Sequence, residues 1–198
     1  FYKHNSMPRL SSNTGDMHLS ERRWFAVRTG HRKEKVVESV LHSKQVEVYI
    51  PTRDRTAHYS SKVVTRRIPI LNGYVFVKVQ QDEVAKVLNT TFVNGFIKIG
   101  SQYRQVTEQE MQHLRFLSSD SNLRIEEISP EYVPEKGILM EIKRGPLAGL
   151  RGHFIAQKSK NLFLIAIGGV ETRLAIFEIN PDNLLPLAGN RKVVRSLA

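Results

Sequence analysis

Short apolar runs in this 198-residue chain alternate with polar positions or recur at helical spacing, and their order predicts the elements. Trp24, Phe25, Ala26 and Val27 ahead of Arg28 read as a strand, and Thr29-Gly30 as the turn after it. A helix of about 14 residues follows, with Val36, Val37, Val40 and Leu41 on its buried face. Residues 46–50 alternate as a second strand that Pro51 ends. Residues 52–67 form a polar, basic excursion, expected as a long hairpin, before the alternating strand from Tyr74 to Val79. Asp82 is placed to cap a short helix through Leu88, and Phe92 to Ile99 offers another strand. Thr107 and Glu110 match a capping box opening a helix with Met111, Leu114 and Leu117 on one face. Strands mixed with three helices predict an α+β domain over residues 22–117.

Further along, the pattern changes. Residues 118–134 are rich in Ser, Asp, Glu and Pro and read as a linker. From Gly137 on, residues 138–142, 153–156, 162–167 and 172–176 are short strand candidates between glycine or lysine turns, which suits a small all-β barrel over 135–187. Residues 1–21 read as a disordered leader and 188–198 as a tail.

Charge sharpens this division. Residues 24–117 carry 15 Lys+Arg against 8 Asp+Glu, whereas residues 118–198 carry 11 against 9, within a net charge of +11. A basic first domain suits phosphate backbones, since counterion release drives association without sequence information; a merely solvated basic surface is the plainer alternative. The chain contains no cysteine, which removes disulfides, thiolate catalysis and cysteine-ligated metal. The seven histidines show no metal-ligand spacing, and the glycine loop lacks the Lys-Ser/Thr ending of a nucleotide-binding loop, so no enzyme and no cofactor are expected. No apolar run reaches the roughly 18 residues of a membrane span, and the first twenty residues lack a secretory h-region, so a cytoplasmic location without membrane contact is expected.

Two motifs carry a resemblance. Gly145, Pro146, Leu147, Gly149, Leu150 and Gly152 form a tight loop inside the run of C-terminal strands, and Leu71, Gly73, Tyr74, Val75 and Phe76 follow the aromatic strand at Trp24. Their order resembles the NusG/Spt5 transcription factors: an N-terminal NusG-type domain with an antiparallel sheet flanked by helices, a linker, and a C-terminal KOW barrel. Within that family the chain looks more like the specialised RfaH and UpxY-type antiterminators of polysaccharide operons. The resemblance implies a monomeric elongation and antitermination factor that grips the RNA polymerase clamp coiled coil, holds the elongating form, and suppresses pausing or termination.

Leu71, Tyr74, Phe76, Phe92, Phe96 and Ile97 are the residues the resemblance offers for the polymerase-binding pocket, although Phe76 on its strand also reads as core. Asn72 stands where the family pattern has proline. By the same resemblance Arg32, Lys33 and Lys35, at the start of the first helix, face non-template DNA. Arg53, Arg55, Tyr59, Lys62, Arg66 and Arg67 in the hairpin are placed to reach upstream or single-stranded DNA, with Tyr59 stacking on a base. Leu147 is expected as an apolar surface contact of the barrel. Gly168-Gly169 stands where the family presents a bulky aromatic, which argues against ribosomal protein S10 and Rho as partners. In RfaH the same domain also packs as a helical hairpin; the glycines here, at about 1 kcal/mol each in a helix, favour the barrel. The competing reading is a ribosome- or RNA-binding KOW protein without polymerase contact.

Overall fold

The computed structural model describes residues 21–128, 137–156, 161–167, 170 and 173–187. The leader up to residue 20, residues 129–134 of the linker, Gly168, Gly169, Thr172 and the tail lie outside the described residues. In chain order the N-terminal domain runs β1 (Arg23–Thr29), α1 (Glu34–Ser43), β2 (Glu47–Tyr49), β3 (Thr52–Tyr59), β4 (Lys62–Pro69) and β5 (Tyr74–Val79). A 3-10 turn, Gln81–Glu83, leads into α2 (Val84–Leu88), followed by β6 (Val93–Phe96), β7 (Lys98–Ile99), β8 (Gln102–Tyr103), β9 (Gln105–Val106) and α3 (Glu108–Ser119).

β1 is the centre of the main sheet, pairing antiparallel with β5, β6 and β9, while β2 extends the sheet beyond β5. Its side chains alternate across the sheet and so feed two cores. Phe25 and Val27, with Val75, Val77 and Val79, pack against Val37 and Leu41 of α1 and Val84 and Val87 of α2. Trp24 and Ala26, with Tyr74 and Phe76, belong to a second cluster with Met111, Leu114 and Leu117 of α3. The Thr107 capping box is present: Glu110 N donates to Thr107 Oγ1 at 3.2 Å and Thr107 N to Glu110 Oε2 at 2.8 Å.

Five sequence expectations are corrected. Val36 is not core but 44% exposed, because the buried stripe of α1 runs through Val37 and Leu41. That helix has ten residues, not about 14. It begins only at Glu34, because Arg32 sits at φ 56°, so His31, Arg32 and Lys33 lie in the preceding loop. The turn into α2 is capped by Gln80 rather than Asp82, with Gln80 N donating to Glu83 Oε2 at 3.2 Å. The expected strand from Phe92 to Ile99 is broken: Phe92 has φ 70°, and past Phe96 the chain turns into the two-stranded β7–β8 hairpin.

The described residues of the C-terminal region form one antiparallel sheet, with a 3-10 turn at Pro181–Asn183: β10 (Ile125–Ile128), β11 (Ile138–Ile142), β12 (Arg151–Ala156), β13 (Asn161–Ile165), β14 (Arg173–Phe177) and β15 (Leu184–Pro186), in the order β10-β14-β13-β12-β11-β15. β10 comes from the segment read as linker. Its backbone completes the outer edge of β14, pairing Ile125 with Ile176 and Ile128 with Arg173, a ladder that composition does not disclose. Between β11 and β12 the glycine loop turns with Gly145 at φ 85° and Gly149 at φ 82°. Gly152 is needed for space instead, since a Cβ there meets the Leu164 carbonyl oxygen at 2.4 Å. Gly152→Ala therefore lowers the stability of the full chain by about 1–3 kcal/mol, read as a reduced urea midpoint. An unchanged midpoint would show that the β12–β13 contact yields at no cost.

Candidate functional site

The turn between β4 and β5 is held from below by a buried carboxylate. Gly73, at φ 77°, donates its N–H to Glu34 Oε1 at 2.6 Å, and its carbonyl accepts from Thr29 N at 2.8 Å. Glu34 is 4% exposed and is the first residue of α1, where the helix dipole favours negative charge. With the turn so fixed, Leu71, Tyr74 and Phe76 are buried on one sheet face, and Ile97 packs partly buried beside them. Arg28 Nη2 donates to Tyr74 Oη at 3.3 Å.

That face is not open. The buried cluster holding Leu71, Tyr74 and Phe76 continues into Met140, Ile142, Leu147, Leu150 and Phe154 of the C-terminal sheet and its glycine loop. Polar contacts clamp the same junction. Gln109 Nε2 of α3 donates to the Ala148 carbonyl at 3.3 Å, and His113 Nε2, on a buried ring, lies 3.1 Å from the same oxygen. Asn72 N donates to Glu127 Oε1 at 3.1 Å, and Asn72 Nδ2 donates to Glu127 Oε2. The two parts of the chain thus meet at the one apolar face singled out for docking. Leu147, expected on the surface, is 7% exposed, because this junction covers it.

The basic residues form two surfaces. The β3–β4 register puts Arg53, Arg55, Tyr59, Lys62 and Arg66 on one face of the hairpin, and Arg67 on the other, 3.6 Å from Asp54. Arg55 and Arg66 stand directly opposite each other, a like-charge pair that the hairpin's own stability does not favour. Tyr59 is 57% exposed near the tip. At the base, Arg53 Nη1 donates to the Leu123 carbonyl at 2.6 Å, and Nη2 to that of Asp120. The second surface is the loop before α1. Arg32 and Lys35 are exposed, and the Lys33 ammonium lies 4.8 Å above the Phe92 ring. Among the described residues no group of His, Asp and Glu side chains is arranged to hold a metal, and no helix is long and apolar enough to cross a membrane.

A family model described as "Transcription termination factor nusG" matches residues 22–115. Through this segment the chain is similar to the NusG family. NusG proteins are transcription factors, not enzymes. A comparison with curated proteins returns no match. Among solved structures, the one described as "Domain interaction in Thermotoga maritima NusG" is 18% identical, covers 84% of this chain and 98% of that one, and superposes with a TM-score of 0.53, a likeness of fold. Conformation A of the MjSpt4:Spt5 complex is 20% identical over 83% of this chain and 97% of that one, with a TM-score of 0.31, too low to support an argument.

Within the matched segment the six pocket candidates separate. Leu71, Tyr74, Phe76 and Ile97 come together. Phe96 faces the opposite core, edge-on to Phe25 with ring centroids 5.9 Å apart. Phe92 is 44% exposed and sits with the basic loop: Gly30 N donates to its carbonyl at 2.8 Å, and Lys33 lies over its ring. Sequence reasoning missed Glu34, Gln109, His113 and Glu127. Only Glu34 left a signal, as one acid among the four basic residues His31, Arg32, Lys33 and Lys35. Leu147→Asp removes about 2 kcal/mol of apolar burial and adds the cost of desolvating a carboxylate. It is expected to favour separation of the C-terminal sheet by about thirtyfold or more, seen as increased binding of an apolar fluorescent dye with unchanged far-UV circular dichroism. Unchanged dye binding would show that Leu147 does not hold the junction.

Proposed function

We propose that this chain is a transcription elongation and antitermination factor that docks on the RNA polymerase clamp coiled coil through the face formed by Leu71, Tyr74, Phe76 and Ile97. The observation that carries the reading is the NusG-type sheet with these apolar side chains gathered on one face, positioned by the Glu34-anchored turn and bordered by α3. Aromatic and aliphatic side chains so placed suit the apolar anchors of a partner helix. The activity is differential binding: a factor that holds the closed clamp more tightly than the paused one shifts the polymerase toward elongation. The C-terminal sheet is a KOW-type barrel in this reading, and the protein a specialised paralogue of the RfaH or UpxY type, acting in the cytoplasm at particular operons such as polysaccharide loci.

Because the docking face lies under the C-terminal sheet, its affinity for polymerase is reduced by the fraction of molecules that are closed. Leu147→Asp is expected to bind an isolated clamp coiled coil at least tenfold more tightly than wild type. Adding Tyr74→Ala to that variant is expected to remove the gain. If both bind like wild type, the face is not the polymerase site.

Nucleic acid is assigned in the same proposal to the hairpin face with Arg53, Arg55, Tyr59, Lys62 and Arg66, and to the loop with Arg32, Lys33 and Lys35. The opposed Arg55 and Arg66 support it, since an intervening phosphate relieves their repulsion. Arg55→Ala is expected to weaken binding to unrelated DNA sequences alike and to lower the salt slope by about 1. Loss confined to one sequence would contradict a backbone contact.

A further inference from the structure

An open cleft of about 940 Å³, within the size range of small-molecule sites, lies between the base of the hairpin and the segment that runs from the end of α3 into β10. Its charges divide by element. The hairpin contributes Arg53, Arg55 and Arg67, whereas β10 contributes Glu126 and Glu127. With Asp54 the three guanidinium groups meet three carboxylates, so the cleft has no net charge with which to collect anions at large. Arg53 is held by the carbonyls of Asp120 and Leu123, and Arg67 lies 3.6 Å from Asp54. Arg55 is exposed and stands opposite the like charge of Arg66, so it gains most from an anion. The facing side is rich in acceptors. Glu126 takes both Arg124 bonds on Oε1, at 2.8 and 3.2 Å, which leaves its Oε2 open, and Glu127 takes one Asn72 donor on each oxygen, which leaves a lone pair on both. Ser119 donates its hydroxyl to the Phe116 carbonyl at 3.1 Å, so its oxygen is left to accept. The described lining also includes Ile68, Pro69 and Ile125 but no aromatic side chain; the C–H faces of a sugar ring can pack there, while a nucleobase has nothing to stack on.

We propose that this cleft is a binding site for a phosphorylated sugar, with Arg55 pairing the phosphate and Glu126, Glu127 and Ser119 accepting hydrogen bonds from the ring hydroxyls. A phosphate joined to a hydroxyl-rich ring satisfies both sides at once, since guanidinium forks suit phosphate oxygens and carboxylates take neutral hydroxyl donors without repulsion. Free phosphate leaves the acceptors without donors. A DNA backbone carries no hydroxyl, and its phosphates are repelled by Glu126 and Glu127. None of Leu71, Tyr74 and Phe76 lines the cleft, so the inference stands apart from polymerase docking. Arg55 also belongs to the hairpin face assigned to nucleic acid, and Glu126 tells the two ligands apart.

The test is isothermal titration calorimetry of the full chain at fixed ionic strength with glucose 1-phosphate, N-acetylglucosamine 1-phosphate, glucose and inorganic phosphate. At least one of the two sugar phosphates is expected to bind with a Kd on the order of 0.1–1 mM, and about tenfold or more tighter than inorganic phosphate or glucose. Arg55→Ala and Glu126→Ala, both at exposed positions where folding is retained, are the variants. Arg55→Ala is expected to weaken the sugar phosphate about tenfold. Glu126→Ala is expected to weaken it about fivefold while inorganic phosphate binds as well as before or better, because removing a carboxylate helps a bare anion and harms only a ligand with donors. If neither sugar phosphate binds more tightly than inorganic phosphate, the cleft recognises no sugar and the proposal is overturned. If Glu126→Ala leaves sugar-phosphate affinity unchanged or raises it, the acceptor side takes no part, and the proposal is overturned as well. If Arg55→Ala leaves it unchanged, the ligand sits elsewhere, with the same consequence. None of these outcomes bears on polymerase docking.

Discussion

The arrangement of the N-terminal domain depends on β1 being buried on both faces. A strand with Phe25 and Val27 on one side and Trp24 and Ala26 on the other needs cover twice. α1 and α2 supply the first cover. On the second side the cluster draws on α3 and on the C-terminal sheet together. A domain that draws on outside apolar surface to complete its second core could exchange one cover for another, and this is the physical argument for the docking face proposed above.

Polar contacts fix the junction as it stands. Leu147 and Leu150 bring apolar surface, but it is the Ala148 carbonyl, reached from Gln109 and His113, and the Glu127 carboxylate, reached from Asn72, that set register and direction. Such hydrogen bonds are worth little net in water-exposed positions, and more when one partner is buried, as His113 is. They make this arrangement specific.

The basic hairpin answers a different constraint. It is exposed along most of its length, and contributes little to either core, so its sequence is free to carry charge. Opposed arginines and an exposed tyrosine fit a surface awaiting an anionic, stackable partner. At its base Arg53 is held by the carbonyls of Asp120 and Leu123, so the hairpin is tied to the segment that leads into the C-terminal sheet.

Much of this was legible in the residues. The aromatic strand at Trp24, the strand from Tyr74 to Val79, the polar excursion expected as a hairpin, the Thr107 capping box and the Met111, Leu114 and Leu117 stripe of α3 are local patterns, and each is found in the structure because it reflects the geometry of one element. The helix start at Glu34 and the break at Phe92 were missed because a positive φ at a non-glycine residue leaves little trace in sequence. So was the strand Ile125–Ile128, which exists only because β14 offers it an unpaired edge. Which candidates share a site was decided by tertiary structure alone. Phe92, Phe96 and Ile97 are near neighbours in sequence yet face three environments, and Asn72 meets Glu127 across 55 positions. Sequence by itself determined the elements and the chemistry they carry; only the packing of one face of β1 against the C-terminal sheet decided what is covered and what stays free, because that burial is set by contacts between residues far apart in the chain.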